Sequence, residues 1–247
     1  MPIVNKPLIE HGVEEAYQAG ITEMAFVTGR GKRALEDHFD ISYELEHQIK
    51  GTSKEQYLDA TRSLIDACTF TYTRQVEMRG LGHAILTGEV LVGDEPFAVV
   101  LADDFCLNIT GDGVLTQMVQ LFEKHQCSIV AIEEVPADQT HRYGVVAGDE
   151  ISPGLIRLNQ MVEKPLPADA PSNLAIIGRY ILTPDIFNIL RSTAPGAGGE
   201  VQITDALMQQ AKEGRVLGYK FSGQRFDCGS PAGYVKAINY CFEHFDY

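Results

Sequence analysis

Through the first half of the chain, apolar stretches of strand length alternate with amphipathic stretches of helix length, and this alternation leaves few folds open. Leu8, Ile9, Val13, Ala16 and Tyr17 share a helical stripe, with Pro7 and Gly20 as start and stop signals, so a helix is expected over 7–19. Strands are expected at 23–28, 69–75, 96–102 and 127–133. Between them, helical patterns run over 41–66, 80–88 and 113–125, and the loop at 29–32 opens a further helix. Strands and helices at this spacing imply a doubly wound, Rossmann-like, mainly parallel open sheet flanked by helices. From 143 onward the pattern changes: 143–147, 155–162 and 174–182 read as strands with little helix between them, which predicts a small antiparallel excursion in a mixed sheet. Thr183 and Pro184 are expected to cap and start a helix, another runs over 202–213, and Ser230 with Pro231 starts a last one to about 245. No linker or repeat divides the chain, so 1–247 is read as a single domain.

The formal charge of -14, from 34 acidic and 20 basic residues, argues against nucleic acid and against an anionic membrane surface. A polyanionic substrate would then need local positive charge from a metal, a few lysines or arginines, or helix N-termini. The five cysteines are odd in number and lack C-x-x-C spacing, which suits free thiols in a cytoplasmic setting. No apolar run approaches the roughly 18 residues that cross a bilayer, and no signal-peptide pattern is present at the N-terminus.

Two apolar segments end in an aspartate followed by turn chemistry, one at Asp103 and Asp104 and the other at Leu217–Asp227. In open α/β sheets ligands sit beyond the carboxyl ends of the strands, where converging carboxylates can hold a hard cation; the competing reading is two ordinary strand-to-turn aspartates. Gly80 and Gly82 would admit a ligand close to the backbone, and Gln75 offers both a donor and an acceptor to a nucleobase edge. An apolar strand delivers Glu163 and Lys164 to Pro165; as neighbours on a strand they are expected on opposite faces, a carboxylate for sugar hydroxyls and an ammonium for phosphate. A surface ion pair is the plainer alternative there. Gly144 begins a strand, where backbone often meets a ligand. Residues 200–205 read most simply as the capped start of a helix, and the glycine-containing loop at 28–32 as solvated. No nucleophile elbow or zinc-type histidine pair occurs, so covalent and zinc chemistry are not expected.

The ordered set Asn5-Lys-Pro-Leu-Ile, Gly80-Leu-Gly-His-Ala, Leu101-Ala-Asp-Asp, Tyr143-Gly-Val-Val, Val162-Glu-Lys-Pro, Ser172-Asn-Leu-Ala, Glu200-Val-Gln-Ile-Thr-Asp and Phe226-Asp-Cys-Gly closely resembles the sugar nucleotidyltransferase family over essentially the whole chain. The Gly-His-Ala form and the distance from Asp-Cys-Gly to the final helix are most similar to its UTP-glucose-1-phosphate uridylyltransferase (UDP-glucose pyrophosphorylase) branch. The resemblance implies transfer of UMP from UTP to α-D-glucose 1-phosphate, giving UDP-glucose and pyrophosphate. It implies that Gln75 and Gly80 read the uracil, Asp103 and Asp227 hold Mg²⁺, Gly144 and Glu163 contact the glucose, and Lys164 contacts the sugar phosphate. It also implies UTP and glucose 1-phosphate as partners and allows a homo-oligomer, dimer or tetramer. A thymidylyltransferase, another sugar-1-phosphate specificity, or a UDP-glucose-binding regulatory paralogue without catalysis are the alternatives. The family opens with a strand and a G-x-G-T-R loop that wraps the triphosphate, whereas this sequence starts at Met1-Pro-Ile-Val. On that reading the triphosphate cradle is absent, an internal sheet edge is exposed, and low solubility or domain-swapped association is expected.

Overall fold

The computed structural model describes residues 1–245. Short strands β1 (Pro2–Ile3) and β2 (Lys6–Pro7) lead into α1 (Leu8–Gln18) and β3 (Glu23–Thr28). Helices α2 (Arg33–His38), α3 (Tyr43–Ile49) and α4 (Gln56–Ala67) then precede β4 (Thr69–Arg74), which pairs in parallel with β3. The single helix expected over 41–66 is therefore two. Gly51 adopts φ +77°, the Thr52 hydroxyl donates to the Ile49 carbonyl (2.6 Å), and the Glu55 carboxylate accepts from the Gly51 N–H (2.8 Å), so local hydrogen bonds close α3 before α4 begins.

The chain continues through α5 (Leu81–Val92), β5 (Phe97–Val100), β6 (Asp104–Leu107), α6 (Val114–His125) and β7 (Ser128–Glu134). Then come β8 (Gly144–Ser152), β9 (Leu155–Glu163), β10 (Leu174–Leu182), α7 (Ile186–Ser192), α8 (Ile203–Lys212), β11 (Val216–Lys220), β12 (Gln224–Asp227) and α9 (Pro231–His244). Six strands form a mixed sheet in the order β5-β10-β7-β11-β9-β8. β7 and β11 are parallel, and β10 lies antiparallel between β5 and β7, so β5, β7 and β11 share one direction. The β8–β9 hairpin is the expected antiparallel excursion.

Helices cover both faces because the central strand is apolar on both. Along β7, Val130 and Ile132 pack with Phe187, Leu190 and Leu207 of α7 and α8, while Ile129 and Ala131 pack with Leu115 and Met118 of α6. Each fully buried side chain of this size contributes roughly 1.5–3 kcal/mol.

Two sequence expectations are corrected by turns. Thr183 and Pro184 form a turn in which the Thr183 carbonyl accepts from the Ile186 N–H (3.1 Å), and α7 starts two residues after Pro184 with Asp185 at its N-cap position. The segment Leu217–Asp227 is not one strand: β11 ends at Lys220, Gly223 takes φ +136°, and β12 leaves the main sheet to pair antiparallel with β6. That two-stranded ribbon places Asp227 opposite Asp104.

Among the described residues no ladder joins the β3–β4 pair to the six-stranded sheet. α1 spans the two, with Val13 packed on Phe26 of β3, and Gly12 so close to β5 that a Cβ there would lie 3.2 Å from Val100 Cγ1. Buried Glu10 ties α1 to its neighbours by accepting from His38 Nε2 (2.7 Å) and the Thr61 hydroxyl (3.2 Å). Burial raises the Glu10 pKa, but the His38 hydrogen bond and charge and the Thr61 hydroxyl more than offset it, leaving the carboxyl below its ordinary 4.5. A depressed acid contributes stability above its unfolded value and loses it as pH falls through the folded one. The melting temperature is expected to drop on acidification below about pH 4.5, and Glu10→Gln to flatten that drop; equal slopes in a pH series of thermal melts would contradict it.

Candidate active site

Beyond the C-terminal end of β5, between the middle of β10 and the paired ends of β8 and β9, lies a cavity of about 490 Å³. Asp103, Gly144, Glu163, Lys164 and Asp227 all line it, so five of the seven residues singled out from sequence converge. Gln75 and Gly80 do not line it; they sit next to it, where a Gly80 Cβ would lie 2.8 Å from the Cβ of Glu200, itself a lining residue. The loop at 28–32 is not part of the lining.

The two carboxylates face each other across a glycine. A Cβ on Gly229 would lie 3.1 Å from Asp103 Oδ2 and 3.2 Å from Asp227 Oδ1, so only glycine leaves the space between them open. The Asp103 carbonyl accepts from the Cys228 N–H (2.7 Å), which locks the two strand ends together. Asp227 Oδ2 accepts from Arg142 Nη2 at 2.8 Å, whereas Oδ1 is the oxygen beside Gly229, on the side of Asp103 Oδ2. Among the described residues no group of three or more His, Cys, Asp or Glu could hold a metal. Two carboxylates across an open space fit Mg²⁺, which keeps several waters and takes substrate phosphates as ligands.

Asp104 has a different task. It is buried, its Oδ2 accepts from the Gly178 N–H (2.6 Å), and its Oδ1 pairs with Arg225. Burial raises its pKa against the pull of Arg225. Arg225 Nη1 also donates to Glu133 (2.8 Å); burial would lower the Arg225 pKa, but the Asp104 charge, the bond to Tyr143 and the Glu133 charge together more than offset it. The guanidinium carbons of Arg142 and Arg225 lie 5.5 Å and 5.4 Å from the centre of the Tyr143 ring. This network fixes the ribbon that carries Asp227.

At the other end of the cavity the structure corrects one expectation. Glu163 is the last residue of β9, but Lys164 has already left the strand with φ +47°, a conformation costing on the order of 1–3 kcal/mol for a non-glycine residue. Its N–H donates to the Tyr143 carbonyl (2.9 Å), and its Nζ comes within 3.7 Å of Glu163 Oε1. The alternation of a strand no longer applies, and the two charges serve the same cavity instead of opposite faces. Glu163 Oε2 accepts from the Thr204 hydroxyl (2.6 Å), and a Cβ on Gly144 would lie 2.9 Å from that hydroxyl and 3.2 Å from Glu163 Oε2. Thr204, read from sequence only as part of a helix start, is buried and holds the carboxylate. Arg142 and Arg225 were likewise invisible in sequence beyond their nearness to Gly144 and Asp227.

The family described as nucleotidyl transferase matches residues 1–243. The chain belongs to this family. Among its relatives, a nucleotidyltransferase of Pseudomonas aeruginosa named UTP–glucose-1-phosphate uridylyltransferase is 68% identical over 245 residues, covering 99% of this chain and 88% of the relative. A crystal structure of an apo UDP-glucose pyrophosphorylase superposes with a TM-score of 0.95 at 58% identity, covering 98% of this chain and 89% of the other. A UDP-glucose pyrophosphorylase complexed with UDP-glucose gives 0.91 at 54% identity, with the same coverage of both chains. The mixed sheet flanked by helices is thus the nucleotidyltransferase fold expected from the sequence.

Proposed function

We propose that this nucleotidyltransferase transfers UMP from UTP to α-D-glucose 1-phosphate, releasing pyrophosphate and forming UDP-glucose, within a single domain. The observation that carries the reading is the cavity itself. It has a carboxylate pair across Gly229 at one end and Glu163, Lys164 and Gly144 at the other, in a chain 68% identical to a uridylyltransferase.

A sugar-phosphate oxygen attacks the α-phosphorus of UTP and the bond to the β-phosphate bridging oxygen breaks, so pyrophosphate leaves with its electron pair. A phosphate monoester is ionised at neutral pH, so no protein base is needed, and alignment with charge neutralisation carries the rate. Mg²⁺ held by Asp103 and Asp227 would supply neutralisation at the phosphates. Lys164 places an ammonium at the sugar phosphate, and Glu163 accepts from sugar hydroxyls, with Gly144 leaving room beside it. Gln75 and Gly80 read the uracil from the adjoining rim. No helix among the described residues is long and apolar enough to cross a membrane, which suits a cytoplasmic enzyme of small-molecule substrates. Exposed Val235 and Phe242 on α9 suit burial in a dimer or tetramer.

The test is direct: with Mg²⁺, UTP and glucose 1-phosphate the chain forms UDP-glucose and pyrophosphate in equal amounts, and with dTTP it is slower. Absence of product would sink the reading, and a preference for dTTP would move it to the thymidylyltransferases. UDP-glucose binding without pyrophosphate release would instead mark a regulatory paralogue. A second expectation concerns Thr204. Thr204→Val leaves Glu163 Oε2 without its donor, so KM for glucose 1-phosphate should rise about fivefold to tenfold, the worth of one hydrogen bond, with kcat within about twofold. Thr204→Ser should restore it; steady-state kinetics in which both variants behave alike would contradict the assignment.

A further inference from the structure

The geometry points to His83 as a positioning residue that turns Gln75 into an obligate acceptor and so makes the site select uracil over cytosine. This rests on the reading above, in which Gln75 faces the base. Gln75 follows β4 at its C-terminal end, its main chain fixed by an N–H bond to the Thr28 carbonyl (2.9 Å). Its Nε2 lies 3.2 Å from the Gly80 carbonyl oxygen and 2.9 Å from His83 Nδ1.

A carbonyl oxygen can only accept, so the amide atom beside Gly80 has to be the NH₂ group; the reverse orientation would set two acceptors against each other. With the amide direction fixed by the backbone, the second NH₂ proton points at His83 Nδ1, which accepts. The imidazole therefore carries its proton on Nε2. Both Gln75 donors are then consumed inside the protein, and among the described residues nothing donates to Gln75 Oε1. What the side chain offers a base is a single carbonyl oxygen.

That oxygen discriminates by chemistry. Uracil presents N3–H, a donor, whereas cytosine presents N3 as a lone pair, and a site built to accept rejects an analogue that cannot give. A glutamine free to rotate would serve either base by exchanging its two ends. The Gly80 carbonyl and His83 Nδ1 remove that freedom together, each holding one NH₂ proton, and His83 does so from the first turn of α5, whose start is fixed by the Gly82 N–H donating to the Val201 carbonyl (2.9 Å).

The experiment compares UTP and CTP binding by calorimetry, with Mg²⁺, in the wild-type chain and in His83→Leu and His83→Asn. The UTP-over-CTP preference should fall about tenfold or more in His83→Leu. His83→Asn, whose Oδ1 can replace Nδ1 as acceptor, should recover most of it, and KM for glucose 1-phosphate should stay within about twofold of wild type in both. A preference unchanged in His83→Leu overturns the inference and leaves the function standing. A wild-type chain that binds UTP no better than CTP overturns the placing of Gln75 at the base and the inference with it. Nitrogen NMR of the imidazole gives a reading independent of nucleotide: protonation on Nε2 is expected, and protonation on Nδ1 would overturn the inference even if the variants misfold.

Discussion

Asp227→Asn is expected to cut UDP-glucose formation by about 10²–10³-fold, the loss typical of removing one preorganised charge from a transfer site, while leaving the fold intact. The two parts of that expectation have separate causes. Asp227 ends β12, whose register against β6 is set by four residue pairs and by Arg225 bound to Asp104, none of which needs the Asp227 charge. Asparagine keeps the shape and still accepts from Arg142, an exposed partner whose contribution to stability is about 0–1 kcal/mol. The site itself loses half of its protein carboxylate charge, because only Asp103 remains across Gly229. Asp103→Asn should behave the same way. Pyrophosphate release under saturating Mg²⁺ with a parallel thermal melt checks both; a variant with at least half of wild-type turnover would remove these aspartates from the reaction.

How far such a site can be read from sequence depends on whether its parts are local. α1, α6 and α9 were legible because an amphipathic stripe, a glycine stop or a Ser-Pro start is written within a dozen residues. The aspartates and the Glu163-Lys164 pair were legible for the same reason, each ending an apolar run. The β6–β12 ribbon was not, because four-residue strands carry too little period to separate from the apolar run beside them, and the φ of Gly223 has no sequence signature of its own. The shared orientation of Glu163 and Lys164 was hidden by one backbone angle at Lys164. Thr204 and Arg142 acquire meaning only through partners 41 and 85 positions away, which a local pattern cannot supply. The same holds for the β3–β4 pair: both strands were expected, while their pairing with each other and their separation from the main sheet are facts of long-range pairing.

The largest stability loss is expected from Arg179→Met, because Arg179 ties its own strand β10 to α1 and to the turn after β5 from a fully buried position. Its Nε and Nη2 donate to Glu15 Oε2 (3.0 and 2.7 Å), and its Nη1 donates to the carbonyls of Leu101 (3.2 Å) and Gly178 (3.1 Å). Glu15 in turn accepts from the Leu115 N–H through Oε1 (3.0 Å), satisfying one of the free donors in the first turn of α6. Removing the guanidinium leaves a buried carboxylate without its countercharge, which costs about 3–5 kcal/mol. For a chain of this length that lowers Tm by roughly 10 °C. The loss reaches the site as well, since the Leu101 carbonyl lies two residues before Asp103 and keeps only the Asp104 N–H (3.2 Å) of its two donors. Replacing both partners, as in Glu15→Leu with Arg179→Met, removes the stranded charge but also the bond to Leu115, so the double variant should lie between wild type and Arg179→Met. Urea denaturation of wild type, Glu15→Leu, Arg179→Met and the double variant measures the coupling; an Arg179→Met variant within about 1 kcal/mol of wild type would mean that the pair does not hold α1, β10 and the Asp103 turn together.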